Sequence, residues 1–64
     1  MSAMRKYLLE DSKRHVIGFK SYKGNEDRLS DAMVFLSNLH KGNYRLFVYN
    51  EDDIELNLID VNFN

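Results

Sequence analysis

The spacing of hydrophobic residues changes several times along the chain, and its most regular stretch predicts a helix. From residue 30 to residue 41 apolar positions recur every three or four residues, as on one face of a helix. The residues on that predicted face are Ala32, Phe35, Leu36 and Leu39, with Leu29 extending it. Ser30 suits the cap of the first turn, and Gly42 suits the left-handed stop after the last. Asn25 is an alternative start.

Alternating apolar and polar residues predict strands on both sides of this helix. Residues 44–49 are aromatic and β-branched without a breaker, and a second alternating run begins at Ile54. Residues 15–22 are also typical of a strand, in which Gly18 indicates a bulge or a close backbone approach. The spacing in residues 5–10 fits a strand and a short helix equally well. We prefer the strand, because a turn at residues 11–14 then closes a hairpin.

The last predicted strand contains two hydrophobic patterns of opposite phase. One set of alternating apolar residues is Ile54, Leu56 and Leu58, and the other is Ile59, Val61 and Phe63. A regular strand cannot direct both sets to the same face, because side chains alternate with a period of two. A β-bulge or bend near Leu58 and Ile59 would resolve the conflict.

These elements predict an α+β fold of ββαββ order, with an antiparallel four-stranded sheet and one helix packed on one face. It would be a single domain spanning residues 1–64. The residues predicted to face the helix are Ile17, Phe19, Leu46, Val48, Ile54, Leu56 and Leu58. One helix covers only one face of such a sheet, so the other face must meet either water or a partner.

The predicted uncovered face supplies the main candidate binding residues. They are Lys20, Tyr22, Arg45, Phe47 and Tyr49. Tyr, Phe and Arg are enriched at the centres of protein interfaces, which favours a protein partner or self-association. Aromatic rings among basic residues also stack bases and hold phosphates, so a nucleic-acid partner is the alternative.

Two charged clusters fall in predicted turns. The basic tip comprises Lys13, Arg14 and His15, and the acidic turn comprises Glu51, Asp52 and Asp53. The basic tip is able to contact phosphate, and the acidic turn is able to dock on a basic partner. For both clusters the simpler interpretation is a solvated turn, and we prefer it.

The composition gives little support to catalysis or metal binding. The chain has no Cys, its two His residues lie far apart, and the acidic run lacks the ligand spacing of a calcium loop. No nucleophile motif or glycine-rich phosphate loop is present. We therefore predict no catalytic residue, no metal, no cofactor and no enzymatic activity. Neither a signal peptide nor a membrane-spanning run is visible, so a cytoplasmic location is expected.

The sequence thus predicts a non-enzymatic protein-binding or regulatory module that acts through an open sheet face or an edge strand. It would work as a homodimer or on a larger protein, because a 64-residue chain buries a limited core and commonly gains stability from a partner. A small nucleic-acid-binding module is the alternative. An accessory protein of a phage or mobile element is the expected context.

Overall fold

The computed structural model describes residues 3–64 and confirms the ββαββ order. The elements are β1 (Met4–Glu10), β2 (Val16–Lys23), α1 (Leu29–Leu39), β3 (Gly42–Tyr49) and β4 (Glu55–Phe63). The strands form one sheet in the order β2-β1-β3-β4, and every neighbouring pair is antiparallel. Residues 5–10 therefore belong to a strand rather than to a short helix, as we predicted. This strand, β1, lies at the centre of the sheet beside β3.

The core lies between α1 and one face of this sheet. Its buried residues are Tyr7, Leu9, Ala32, Leu36, Leu46, Val48, Val61 and Phe63. On the helix, Ala32 and Leu36 are completely buried, whereas Phe35 and Leu39 are exposed. Leu29 and Met33 complete the inner face of α1, so the buried stripe is rotated relative to the predicted one.

The helix begins one residue earlier than its predicted cap. Leu29 is already helical, and its N–H donates to Asp27 Oδ1 at 2.9 Å. The N–H of Arg28 donates to the hydroxyl of Tyr7 at 2.8 Å, which connects the helix start to the central strand. The prediction that Ser30 caps the helix is therefore wrong. Burial around the Tyr7 ring raises the pKa of its hydroxyl.

Gly18 lies next to a β-bulge and also allows a close approach of the helix, the two features that a glycine within a strand indicates. The ladder pairs Leu9 with Gly18 but Glu10 with Val16, so Ile17 is the extra residue of a bulge. A Cβ at position 18 would lie 3.0 Å from Leu36 Cδ2 and 3.1 Å from His40 Nε2. The absent side chain therefore allows the helix to pack closely on β2.

The bulge reverses the predicted direction of Phe19. Ile17 packs against the core, but Phe19 is 52% exposed and lies on the opposite face, next to Leu8 in the ladder. Ile17 and Phe19 have the same sequence parity, and an uninterrupted strand would direct both towards the helix. The prediction for Phe19 is therefore wrong, because the inserted residue changes the phase between them.

Strand β4 directs its second hydrophobic set, rather than its first, towards the helix. Leu46 pairs with Ile59 and Tyr44 pairs with Val61, and Val61 is buried. The residues predicted to face the helix but found exposed are Ile54, Leu56 and Leu58. The ladder irregularity lies between the pairs Val48–Asn57 and Tyr49–Glu55, so the extra residue comes before Leu58 and not at the predicted position.

Candidate functional site

The sheet face directed away from the helix, here called the open face, carries a continuous row of apolar side chains. In the ladders Phe19 pairs with Leu8, Leu8 with Phe47, and Phe47 with Leu58. These four residues, the apolar row, therefore cross all four strands. Phe19 and Leu58 at its ends are 52% and 44% exposed, and Leu8 and Phe47 between them are half-buried. The row is a surface of large hydrophobic side chains that no element within residues 3–64 covers.

Polar residues border the apolar row on both sides. On one side Arg45 lies between Glu10 and Asp60 in the ladders, and its guanidinium forms an ion pair with Glu10. On the other side Lys6 lies beside Ser21 and Tyr49. Lys6 Nζ is 2.6 Å from Asp53 Oδ1. Each cation that borders the row is therefore already paired with a carboxylate.

An open groove lies beside the apolar row at the Lys6 side. Its volume is about 430 Å³, and its lining residues are Lys6, Leu8, Phe19, Tyr49 and Asp53. The rings of Phe47 and Tyr49 are nearly parallel, with centroids 6.2 Å apart, and Tyr49 lines the groove. The groove combines an apolar floor with a paired charge, which suits a side chain of another molecule better than a small free anion.

Three of the five residues predicted for the binding face lie on the open face, and two do not. Arg45, Phe47 and Tyr49 point away from the helix, since Leu46 and Val48 between them are buried in the core. Lys20 and Tyr22 lie on the helix side, and their predicted placement is wrong.

The bulge at Ile17 also explains the positions of Lys20 and Tyr22. Lys20 pairs with the buried Tyr7, and its Nζ lies 4.6 Å from the ring centroid of Phe35 on the helix. The Tyr22 ring lies 5.9 Å from that of Tyr7 and 4.2 Å from the Arg28 guanidinium carbon. The two cation–π contacts join β2 to the helix and its N-terminal cap, and the edge contact joins β2 to β1.

The basic tip forms the turn between β1 and β2. Its side chains, those of Lys13, Arg14 and His15, are all exposed. Asp11 Oδ1 accepts hydrogen bonds from the N–H groups of Lys13 and His15, each at 2.9 Å. Arg14 adopts a left-handed conformation with φ of 65°. The backbone of this tip is therefore fixed by Asp11, and its side chains are exposed to solvent.

The acidic turn between β3 and β4 repeats the same construction. Asn50 Oδ1 accepts from the N–H groups of Asp52 and Ile54 at 2.9 and 3.0 Å, and Asp53 is left-handed with φ of 59°. Glu51, Asp52 and Asp53 are exposed, and Asp53 alone reaches the open face, through Lys6. Both charged clusters are thus the surface of structured hairpin turns.

Replacement of Asp11 by alanine is expected to destabilise the first hairpin and to reduce the acid sensitivity of the fold. The N–H of His15, followed by that of Lys13, holds the pKa of the Asp11 carboxyl below its ordinary value. A lowered folded-state pKa contributes stability above the unfolded value of about 3.9, and this contribution is lost as the pH falls through the lowered value. Urea unfolding at pH 7 and near pH 2 measures the effect.

The comparison variant for Asp11 is Asp52→Ala, which removes an exposed carboxylate from the second turn. We expect Asp11→Ala to lose more stability at pH 7 than at pH 2, and Asp52→Ala to change little at either pH. Equal losses at both pH values for Asp11→Ala would contradict the proposed role of its carboxylate.

Several residues of the open face were not among the predicted site residues, including Lys6, Leu8, Glu10, Phe19 and Leu58. A signal exists only for Leu8, in the uninterrupted apolar run Tyr7-Leu8-Leu9; residues 46–49 form a similar run around Phe47, which was predicted. An antiparallel strand with one solvated face normally alternates apolar and polar residues, whereas a strand covered on both faces has a near-continuous apolar run. Strands β1 and β3 follow the second pattern.

The described residues include no candidate metal site and no candidate membrane-spanning helix. Within residues 3–64 no group of three or more His, Asp or Glu side chains is arranged to hold a metal ion. Over the same range no helix has the length and apolarity needed to cross a bilayer. Comparisons with protein-family models, with curated proteins and with solved structures found no match.

Proposed function

We propose that this chain is a non-enzymatic, regulatory binding module that docks a protein on its open face. The single observation that carries the proposal is the apolar row, which extends across all four strands on the face that the helix does not cover. Exposed apolar patches bordered by polar residues are typical of protein-binding sites, because burying them releases water from a large apolar area.

The pattern of the central strands supports the same proposal. Leu8 and Phe47 lie at the middle of the sheet, and each is flanked in sequence by residues that are buried against the helix. At Leu8 and Phe47 these strands are apolar on both faces, although within residues 3–64 only one face is covered. A second layer over the open face would give both sides of β1 and β3 an apolar environment.

The polar borders fit the anatomy of a protein interface. Lys6 and Arg45 carry their counter-charges, Asp53 and Glu10, within the same chain. The main electrostatic penalty of association is the burial of unpaired charges. Docking of an apolar surface between these pairs would bury few such charges. Aromatic and Arg side chains are also the residues that contribute most to protein interfaces, and Phe47, Tyr49 and Arg45 supply them here.

The nucleic-acid alternative has less support. Two residues on which it depended, Lys20 and Tyr22, contact the helix side of the sheet, and Arg45 is paired with Glu10. The basic tip is exposed, but it lies in the turn between β1 and β2, whereas Phe47 and Tyr49 lie on β3. Binding to phosphates would weaken steeply with salt through counterion release, whereas docking on the apolar row would be far less sensitive.

The test is site-specific photo-crosslinking in the cells that naturally produce the chain. The photoreactive amino acid p-benzoylphenylalanine replaces Phe19 on the open face in one variant and Phe35 on the helix in the control. Both residues are aromatic and exposed, but they lie on opposite sides of the sheet. We expect a discrete, nuclease-resistant adduct from position 19 and much less from position 35.

Three outcomes would contradict the proposal: no adduct from position 19, equal adducts from both positions, or an adduct that nuclease removes. The mass of a position-19 adduct also identifies its kind. An increase equal to the 7.6 kDa chain means a second copy, and any other discrete increase means a different protein.

A further inference from the structure

We infer that the occupant of the open face is a second copy of this chain, packed sheet against sheet about a two-fold axis. The inference rests on the proposed function, since it names the partner of the same face. It depends on a property of the open face beyond its hydrophobicity: the arrangement of its side chains complements itself under one particular rotation.

The relevant axis runs parallel to the strands, between the two sheets, and midway between β1 and β3. Rotation about this axis places β1 of one copy over β3 of the other, and β2 over β4, because the sheet order is β2-β1-β3-β4. Residues that are neighbours across the strands in one copy then become neighbours between copies. The strands of the two sheets remain aligned, as in most two-sheet packings.

The charged border becomes complementary in this arrangement. Glu10 and Arg45 are paired across the β1–β3 ladder, so each faces its opposite charge in the second copy as well as in its own. Four charges of alternating sign thus meet at one side of the interface. Like charges directly opposed would be repulsive, and this rotation places none of the Glu10 and Arg45 groups in that position.

The apolar row is complementary in size under the same rotation. Leu8 faces Phe47 of the second copy, and Phe19 faces Leu58. Each aromatic ring therefore meets a smaller aliphatic side chain, which favours the interdigitation found between packed sheets. On the other border Lys6 faces the Tyr49 ring, a geometry suited to a cation–π contact.

The alternative in-plane axis, perpendicular to the strands, is less complementary, because it opposes Lys6 to Glu10 of the other copy but opposes like residues elsewhere. It would place each residue of the apolar row over its own equivalent, so that Phe19 meets Phe19 and Phe47 meets Phe47. It would also bring Asp60 over Glu55, because these residues border the row on opposite sides of β4. Two large side chains and two like charges would then be opposed, so the strand-parallel axis is the favoured one.

The size of the open face suits a reversible dimer. Four strands about 4.8 Å apart and seven to nine residues long give a face of roughly 19 by 25 Å in projection. The two faces together give about 950 Å² in projection, which is below the lower end of standard protein–protein interfaces, about 1,200 Å², and in the range of weak, transient ones. We therefore expect a dimer that dissociates at low micromolar concentration and assembles at higher concentration.

The experiment is sedimentation equilibrium of the full chain from micromolar to millimolar concentration, combined with two charge reversals. Glu10→Arg makes both residues of the β1–β3 pair positive, and Arg45→Glu makes both negative. Each variant alone is expected to weaken dimerisation at least tenfold. An equimolar mixture is expected to recover it, because each charge in one variant then faces an opposite charge in the other.

Two controls separate this interface from a general effect of charge or folding. Lys13→Glu changes the charge by the same amount as Arg45→Glu but lies in the exposed basic tip, and it should dimerise as the unaltered chain does. The double variant Glu10→Arg with Arg45→Glu restores the pair within each chain and across the interface, and it should also dimerise. Circular dichroism verifies that each variant is folded.

The inference is overturned by a chain that stays monomeric at millimolar concentration, or by a dimer whose charge-reversed variants do not complement each other. If the chain is a strict monomer but still gives a position-19 adduct of another mass, the inference of a second copy is wrong and the proposed protein-binding function stands. Loss of the position-19 adduct altogether would overturn the proposed function as well.

Discussion

Replacement of Leu46 by alanine is expected to lower the free energy of unfolding by about 3 to 4 kcal/mol. Leu46 is completely buried in β3, in the same core as Leu9 and Leu36. Removal of its isobutyl group forfeits the transfer free energy of the side chain and leaves a cavity that the surrounding sheet cannot easily close. For a domain of this size the loss is a large share of the total stability. Urea unfolding monitored by circular dichroism measures it.

The matched control is the same substitution at Leu58. This residue is on the adjacent strand β4, but it lies on the open face and is 44% exposed. At low micromolar concentration, where self-association does not contribute, we expect Leu58→Ala to cost less than about 1 kcal/mol. Losses of similar size for the two variants would mean that Leu58 belongs to the monomer core and that the open face is wrongly placed.

Replacement of Gly18 by valine is the second substitution with a large expected effect, a loss of about 2 kcal/mol. Valine has a higher strand propensity than glycine and loses less backbone entropy on folding, so both intrinsic terms favour the variant. The clash outweighs them, because the Cβ alone would lie 3.0 Å from the buried Leu36 side chain. Thermal and urea unfolding of the variant give the change directly.

Ser21→Val provides the comparison for Gly18→Val on the same strand. Ser21 pairs with Lys6 on the open face, where no helix approaches. We expect this variant to be neutral or slightly more stable, since valine suits a half-exposed strand position. If Gly18→Val were as stable as the unaltered chain, the close contact between α1 and β2 would be wrong.

The order of elements was predictable because local patterns determine it. Helical spacing in residues 30–41 and the turn residues around Asp11 and Asn50 identify one helix between two hairpins. With short connections, each hairpin must be antiparallel, and a single helix can cover one face only. These inferences use residues near one another in sequence, which is why the sequence was sufficient for them.

The facing of the outer strands was not predictable, because it depends on where each ladder inserts a residue. In β2 the bulge at Ile17 separates two residues of equal parity, so that Phe19 joins the open face. In β4 either hydrophobic set has the period of two that a strand requires. The pairing of Leu46 with Ile59 directs the second set, which begins at Ile59, towards the helix. A shift of one residue reverses every side chain of a strand, and no feature within β4 itself specifies the register.

The residues of the candidate site on β3 were predicted correctly. Those on β2 and β4 were missed, because their facing depends on the positions of the bulges. Phe47 is located by Leu46 and Val48, whose parity was correct, whereas the placement of Lys20 depended on a bulge of unknown position. Leu8 was overlooked although its neighbours Tyr7 and Leu9 are also apolar. An unbroken apolar run in a central strand indicates that both faces of the strand are hydrophobic there. The helix covers one of these faces, so the other face requires a second covering layer.

The matching turns at Asp11 and Asn50 also affect how the chain folds. Each is closed by hydrogen bonds between residues at most four positions apart, so the start of each hairpin needs only local contacts, which form on a time scale of about 1 to 10 μs. The join between β1 and β3 is different, because it brings together residues such as Leu8 and Phe47 across a long loop of chain. We therefore expect docking of two preformed hairpins to limit the folding rate.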